Sequence, residues 1–182
     1  MNKRNIPVGV SDFSEIRQND YYYVDKSELI RELLKTSIAK VTHITRPRRF
    51  GKTLAMSMLA NFFDIRQKNE SLFQGLAVSS DSSFCKEWMN QWPVVFLALK
   101  NIDGLTFSTA YQQLAYEIGL LFEKHKYLLT DEKIGPAEKE LFERLKNRSA
   151  SEVEVSRSLQ FLLQLMTQHY GTSYCVEVML AQ

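Results

Sequence analysis

Short runs at helical spacing alternate along the chain with a few continuous apolar stretches, and that alternation organises it. Leu29, Ile30, Leu33 and Leu34 fall three and four residues apart, so residues 26–36 read as an amphipathic helix. YYYVD at 21–25, just ahead of them, is a short aromatic and β-branched run. Residues 39–45, AKVTHIT, predict a strand. After the loop RPRRFG, residues 53–65 place apolar side chains on more than one face, the pattern of a largely buried helix. Residues 66–92 are mixed, with turn-like SSDSS and a short helix expected near CKEWMN. Pro93 then opens PVVFLALK, an apolar run of the kind found in strands covered on both faces.

Helical periodicity dominates the second half. Phe107, Tyr111, Leu114, Ile118, Leu121 and Phe122 mark one long helix to Lys124, with Thr106 or Ser108 as its cap. Pro136 predicts the start of another, continuing through AEKELFERLKN. Ser151-Glu152 opens a third, with Leu159, Leu162, Leu163 and Met166 on one face and Gly171 as its stop. SYCVEVML reads as a last strand. The order strand, loop, helix, strand, helices, strand predicts an α/β layer fold with a mostly parallel sheet.

A length of 182 residues suits one ordinary domain. Hydrophobic residues at 45% and charged residues at 24% fit a soluble globular protein. The net charge of +2 gives no general attraction to nucleic acid or an anionic membrane, so any anion site must be local. The N-terminus has no apolar run of signal-peptide length, and no apolar stretch is long enough to span a bilayer. Cys85 and Cys175 have no CxxC spacing, which fits a reducing compartment without a metal site, so a cytoplasmic protein is expected. His43, His125 and His169 are scattered and read as fillers rather than ligands. The helical aromatic and Met residues read as core.

Candidate chemistry concentrates in TRPRRFGKTL, residues 45–54. A helix N-terminus has unpaired N–H groups and partial positive charge, which attract phosphate. Gly51 lets the backbone approach closely, Lys52 can reach the β- and γ-phosphates, and the Thr53 hydroxyl can ligate Mg²⁺. Arg46 to Gly51 has the spacing of the two glycines in GxxxxGK[ST], so only the first glycine is missing. Arg46 resists positive φ and Pro47 removes a donor, whereas the expected strand before the loop and helix after it supply the motif's context. A second reading stays open, in which the RPRR run contacts the phosphate backbone of a nucleic acid.

These residues resemble the AAA-ATPase-like family of P-loop proteins, often joined to a nuclease-like domain of the PD-(D/E)xK type. The resemblance runs from PVGVSDFSEIR through YYYVDKSELIRELL, TRPRRFGKTL, MSMLANFFD, SLFQGL, WPVVFLALK, AYQQLAYEI and HKYLL to HYG at 169–171. It covers nearly all of residues 1–182 and implies the N-terminal portion of that domain. It also implies a P-loop NTPase-like three-layer α/β fold, here cut after a third core strand. ATP and Mg²⁺ are the implied ligands. Arg46, Pro47, Arg48, Arg49, Phe50, Gly51, Lys52, Thr53 and Leu54 match the nucleotide loop, with Thr53 at the Mg²⁺ position. Tyr23, Val24, Asp25 and Lys26 match a segment that borders adenine in related ATPases, although a merely packed corner is an equal reading.

Hydrolysis in such a fold needs an acidic residue for Mg²⁺ and a polar group to orient water. The family places an Asp-Glu pair shortly after HYG, whereas residues 172–182 contain none, and Glu177 lies among apolar neighbours. Nucleotide binding with weak or absent turnover by a truncated domain is the expectation.

Overall fold

The computed structural model describes residues 5–35, 42, 50–99, 102–103, 105–172 and 176–180. Internal packing divides the chain into two compact units, Met1–Val94 and Val95–Gln182.

The first unit is built on helices that share an aromatic core. Helix α1 (Phe13–Gln18) starts at Asp12, whose side chain accepts from the Glu15 N–H. This satisfies one of the donors that a helix start leaves orphaned. Helix α2 (Glu28–Lys35) follows, as its apolar spacing predicts. The strand expected at 39–45 lies outside the described residues except for Thr42, which is not in a strand. Helix α3 (Lys52–Phe63) occupies the span expected of a buried helix. Its Phe62 meets the Phe73 ring edge-on at 5.3 Å, and Phe73 lies 4.9 Å from Phe13. Phe73 ends the short helix α4 (Glu70–Phe73).

Arg17 fixes this packing by donating to the carbonyls of Leu72 and Gln74 at 2.7 and 2.8 Å. After a 3₁₀ turn (Ala77–Ser80), helix α5 (Ser82–Trp88) starts at Asp81, inside the stretch that reads as a turn. Asp81 accepts from the Phe84 N–H, so the serine- and aspartate-rich run serves as a cap.

Strand β1 (Val94–Ala98) falls within the apolar run after Pro93. In the second unit, helix α6 (Phe107–Lys124) matches its predicted span, capped by Thr106 rather than Ser108. A 3₁₀ turn (Lys126–Thr130) leads to helix α7 (Pro136–Lys146), with proline in its first turn. The helix expected after Ser151 is two helices, α8 (Glu152–Ser156) and α9 (Ser158–Tyr170). At the break, Ser156 and Ser158 turn their hydroxyls back onto the carbonyls of Val153 and Val155, in competition with the helical ladder. Gly171 ends α9 at φ 67°, the left-handed stop its position predicts. Strand β2 (Val176–Leu180) lies within the last predicted strand. Phe122, Phe142, Leu162 and Leu165 are fully buried at the centre of this unit.

The expected three-layer α/β fold with a mostly parallel sheet, cut after a third core strand, is not the architecture found. Helices dominate the described residues. Among the described residues the two five-residue strands pair only with each other. The aromatic and β-branched run YYYVD adds no strand either. β-branched and aromatic residues favour strands only where a pleated partner covers them. Here Tyr23 instead packs edge-on against Phe13 at 5.5 Å and sends its hydroxyl to the Met58 sulfur.

Candidate functional site

Gly51 is the N-cap of α3, and its backbone is left-handed at φ 77°. A side chain would be strained there, so glycine gives the turn at no steric cost. Being glycine, it offers no capping side chain, and the first turn of α3 contains no acidic residue. The orphan amides and the positive end of the helix dipole are therefore not neutralised from within α3.

Lys52 and Thr53 are the first two residues of α3 and are partly exposed. Among the described residues neither makes a side-chain hydrogen bond or ion pair. Phe50 is 61% exposed, a large apolar ring held in solvent beside the turn. Leu54 is partly buried. Arg46, Pro47, Arg48 and Arg49 lie outside the described residues.

Beside the turn lies a cavity of about 400 Å³. Phe50, Gly51 and Leu54 contribute to its wall from the loop and α3, whereas Lys52 and Thr53 do not. Tyr22, Tyr23, Val24 and Lys26 form the facing wall. The Tyr22 N–H donates to the Asn5 carbonyl at 2.9 Å, which brings Ile6 and Pro7 to the same cavity. The walls are thus mainly apolar and aromatic, with the Lys26 ammonium as their charged group. Such a composition suits a planar ring system whose charged end lies outside the apolar walls.

The segment 23–26 and the loop, distant in sequence, therefore border one cavity. Asp25 is the exception. Its carboxylate accepts from the N–H groups of Ser27 and Ala77 at 2.8 and 2.7 Å, away from the cavity. Burial opposes its ionisation, but these hydrogen bonds and the Arg17 charge hold its pKa below the usual carboxylate value. Tyr23 shows the reverse balance, with burial first among the causes that push its phenol up. Ile6, Pro7 and Tyr22 were not singled out as site residues in the sequence. Their signal there is faint, because a lone Ile-Pro pair ahead of the first helix has no periodicity.

Behind the site, α3 is anchored at both ends of its buried face. Ser57 accepts from the Phe13 N–H at 3.0 Å and donates to Asp12 at 3.2 Å. At the far end Asp64, only 6% exposed, caps the helix and pairs with Arg66 at 2.7 Å. Asn90 adds donors to the carbonyls of Asn61 and Asp64. The Asp of MSMLANFFD is thus structural.

Residues 7–176 match the family model described as predicted AAA-ATPase. The chain belongs to this predicted AAA-ATPase family. The match takes in the whole of α3 and the cavity walls apart from Ile6. Among curated relatives, an uncharacterized protein from the vnfD 5' region of Azotobacter chroococcum mcd 1 is 38% identical over 98 residues. That alignment covers 52% of this chain and 17% of the relative, so the chain corresponds to a small part of that protein. No solved structure matches the chain.

The described residues contain no group of three or more His, Cys, Asp or Glu side chains able to hold a metal. The Glu177 side chain, Cys175 and His43 lie outside the described residues. His125 is buried with Nδ1 at 2.9 Å from the Leu121 carbonyl, and His169 meets the Asp131 carboxylate. The Cys85 thiol donates to the Val78 carbonyl, and burial pushes its pKa up, so it is a packed group rather than a nucleophile. No described helix is long and apolar enough to cross a membrane.

Proposed function

We propose that the chain is a nucleotide-binding module. The phosphates of ATP bind at the turn 50–53 and the start of α3, and the nucleoside enters the adjacent cavity. The observation that supports this most is the left-handed Gly51 cap, with Lys52 and Thr53 next to it and no acid in that turn. A polyphosphate there would accept from the orphan amides and from the Lys52 ammonium. Arg46, Arg48 and Arg49 add positive charge to the same loop by sequence.

The Thr53 hydroxyl suits a Mg²⁺ ion otherwise held by phosphate oxygens and water, since this ion keeps much of its hydration shell. The ion would neutralise charge on the phosphates. Residues 172–182 contain no Asp-Glu pair, so this 182-residue chain is expected to bind ATP with little turnover.

Equilibrium titration of a fluorescent ATP analogue tests the reading. Wild type should bind, more tightly with Mg²⁺, and Lys52→Ala should lose at least about tenfold in affinity. Equal binding by both proteins would refute it. The RPRR run supports one rival, a phosphate-backbone contact with nucleic acid. Under that rival Lys52→Ala would only trim a strongly salt-dependent affinity for DNA or RNA.

A further inference from the structure

We propose that Lys26 is a second phosphate-binding cation of this site, supplied by the segment ahead of α2. The inference rests on the nucleotide reading and adds a residue that the GKT motif does not contain.

The Lys26 ammonium donates to the Phe50 carbonyl at 3.3 Å. A Cβ built on Gly51 would lie in ordinary contact with the Lys26 nitrogen, at 3.6 Å, so an ammonium from 25 positions earlier stands beside the helix cap. Lys26 lines the cavity together with Phe50 and Gly51, so a nucleotide spanning cavity and turn passes this ammonium.

The charge on Lys26 is not neutralised by its neighbours in sequence. The Asp25 carboxylate is committed to the N–H groups of Ser27 and Ala77, and Glu28 pairs with Arg31 at 3.7 Å. Among the described residues Lys26 makes no ion pair. An ammonium has three donors, and the Phe50 carbonyl takes one. Charge-assisted bonds to phosphate are about twice as strong as neutral ones, so a polyphosphate is the partner that gains most from the remaining donors. A triphosphate also carries more negative charge than Lys52 alone can balance.

Calorimetric titration of ATP, ADP and adenosine into wild type, Lys26→Met, Lys26→Arg and Lys52→Ala separates the possibilities. Methionine keeps the apolar stem of this exposed residue, and circular dichroism checks that the variants fold. The proposal expects Lys26→Met to lose about tenfold for ATP and less for ADP, to change less than about twofold for adenosine, and Lys26→Arg to recover most of the loss. Equal losses for ATP and adenosine would make Lys26 a wall residue and overturn the proposal. So would an unchanged ATP affinity in Lys26→Met while Lys52→Ala is impaired.

Wild type that binds no ATP, or Lys52→Ala that binds it normally, would sink the nucleotide reading and this inference with it. Where adenosine binding is too weak to measure, inorganic tripolyphosphate serves as the probe. A loss of about tenfold in Lys26→Met then supports the proposal, and no loss overturns it.

Discussion

The hydroxyl of Ser57 bridges two helices, accepting from the N–H of Phe13 at 3.0 Å and donating to the Asp12 carboxylate at 3.2 Å. This one side chain ties the start of α1 to the middle of α3, the helix whose first residues form the candidate site. Ser57→Ala keeps the helix but leaves the buried Phe13 N–H without its partner. An orphaned buried donor costs roughly 1–3 kcal/mol. Urea unfolding should show a loss of about 2 kcal/mol with no change in slope, and an unchanged midpoint would mean that the bridge contributes nothing.

The left-handed turn makes a separate prediction at Gly51. Among the described residues a Cβ there would meet only the Lys26 nitrogen, at an ordinary contact distance of 3.6 Å. Steric crowding is therefore minor, and the penalty is conformational. Gly51→Ala should cost about 1–2 kcal/mol in thermal unfolding and should weaken ATP binding in the same experiment. Full stability and affinity would show that the turn is not required.

Much of the helical part was legible. The 3.6-residue period placed α2 and α6, apolar helix formers on several faces placed α3, Pro136 marked the start of α7 and Gly171 the end of α9, because these signals act locally. The start of α3 directly after Gly51 was legible for the same reason. Strands β1 and β2 fell within their predicted apolar runs, but the layered sheet expected around them was not legible, because what covers a strand is set by residues distant in sequence. The Lys26–Phe50 contact was equally out of reach, since nothing in the chain's periodicity brings position 26 to position 50. Asp25 shows the converse, a motif residue whose carboxylate the fold uses for its own hydrogen bonds.

Close packing makes Gly119 of α6 a sensitive position. A Cβ there would lie 3.0 Å from the Lys146 carbonyl oxygen and 3.0 Å from Cγ of Arg148. Arg148 is itself constrained, with φ 61° and its guanidinium 4.0 Å from the centre of the Tyr116 ring. Overpacking costs typically 1–3 kcal/mol, against about 1 kcal/mol gained from alanine's helix propensity. Gly119→Ala should therefore be destabilising on balance, by roughly 1 kcal/mol in chemical denaturation. A gain in stability would show that the neighbours relax freely.

A pH dependence follows from the cap of α8. Glu154 accepts from Arg144 at 2.6 Å and from the Ser151 N–H at 2.7 Å. Led by the Arg144 hydrogen bond, these contacts lower its pKa from 4.5 to about 2. The unfolded chain then takes up this proton first as pH falls. The stabilisation is complete above the unfolded value of 4.5 and is lost as pH drops toward about 2. Unfolding midpoints measured across that window should fall more steeply in wild type than in Glu154→Gln. Parallel curves would contradict the assignment.

The central claim is that phosphate oxygens meet the start of α3, and backbone amide mapping tests it most directly. ATP with Mg²⁺ is titrated into ¹⁵N-labelled protein and the amide resonances are followed. The account predicts saturable shifts centred on Gly51, Lys52 and Thr53, with smaller ones at Tyr22 to Lys26, all needing at least about tenfold more ATP in Lys52→Ala. Saturable shifts elsewhere that leave these amides unmoved, or none at all, would contradict it.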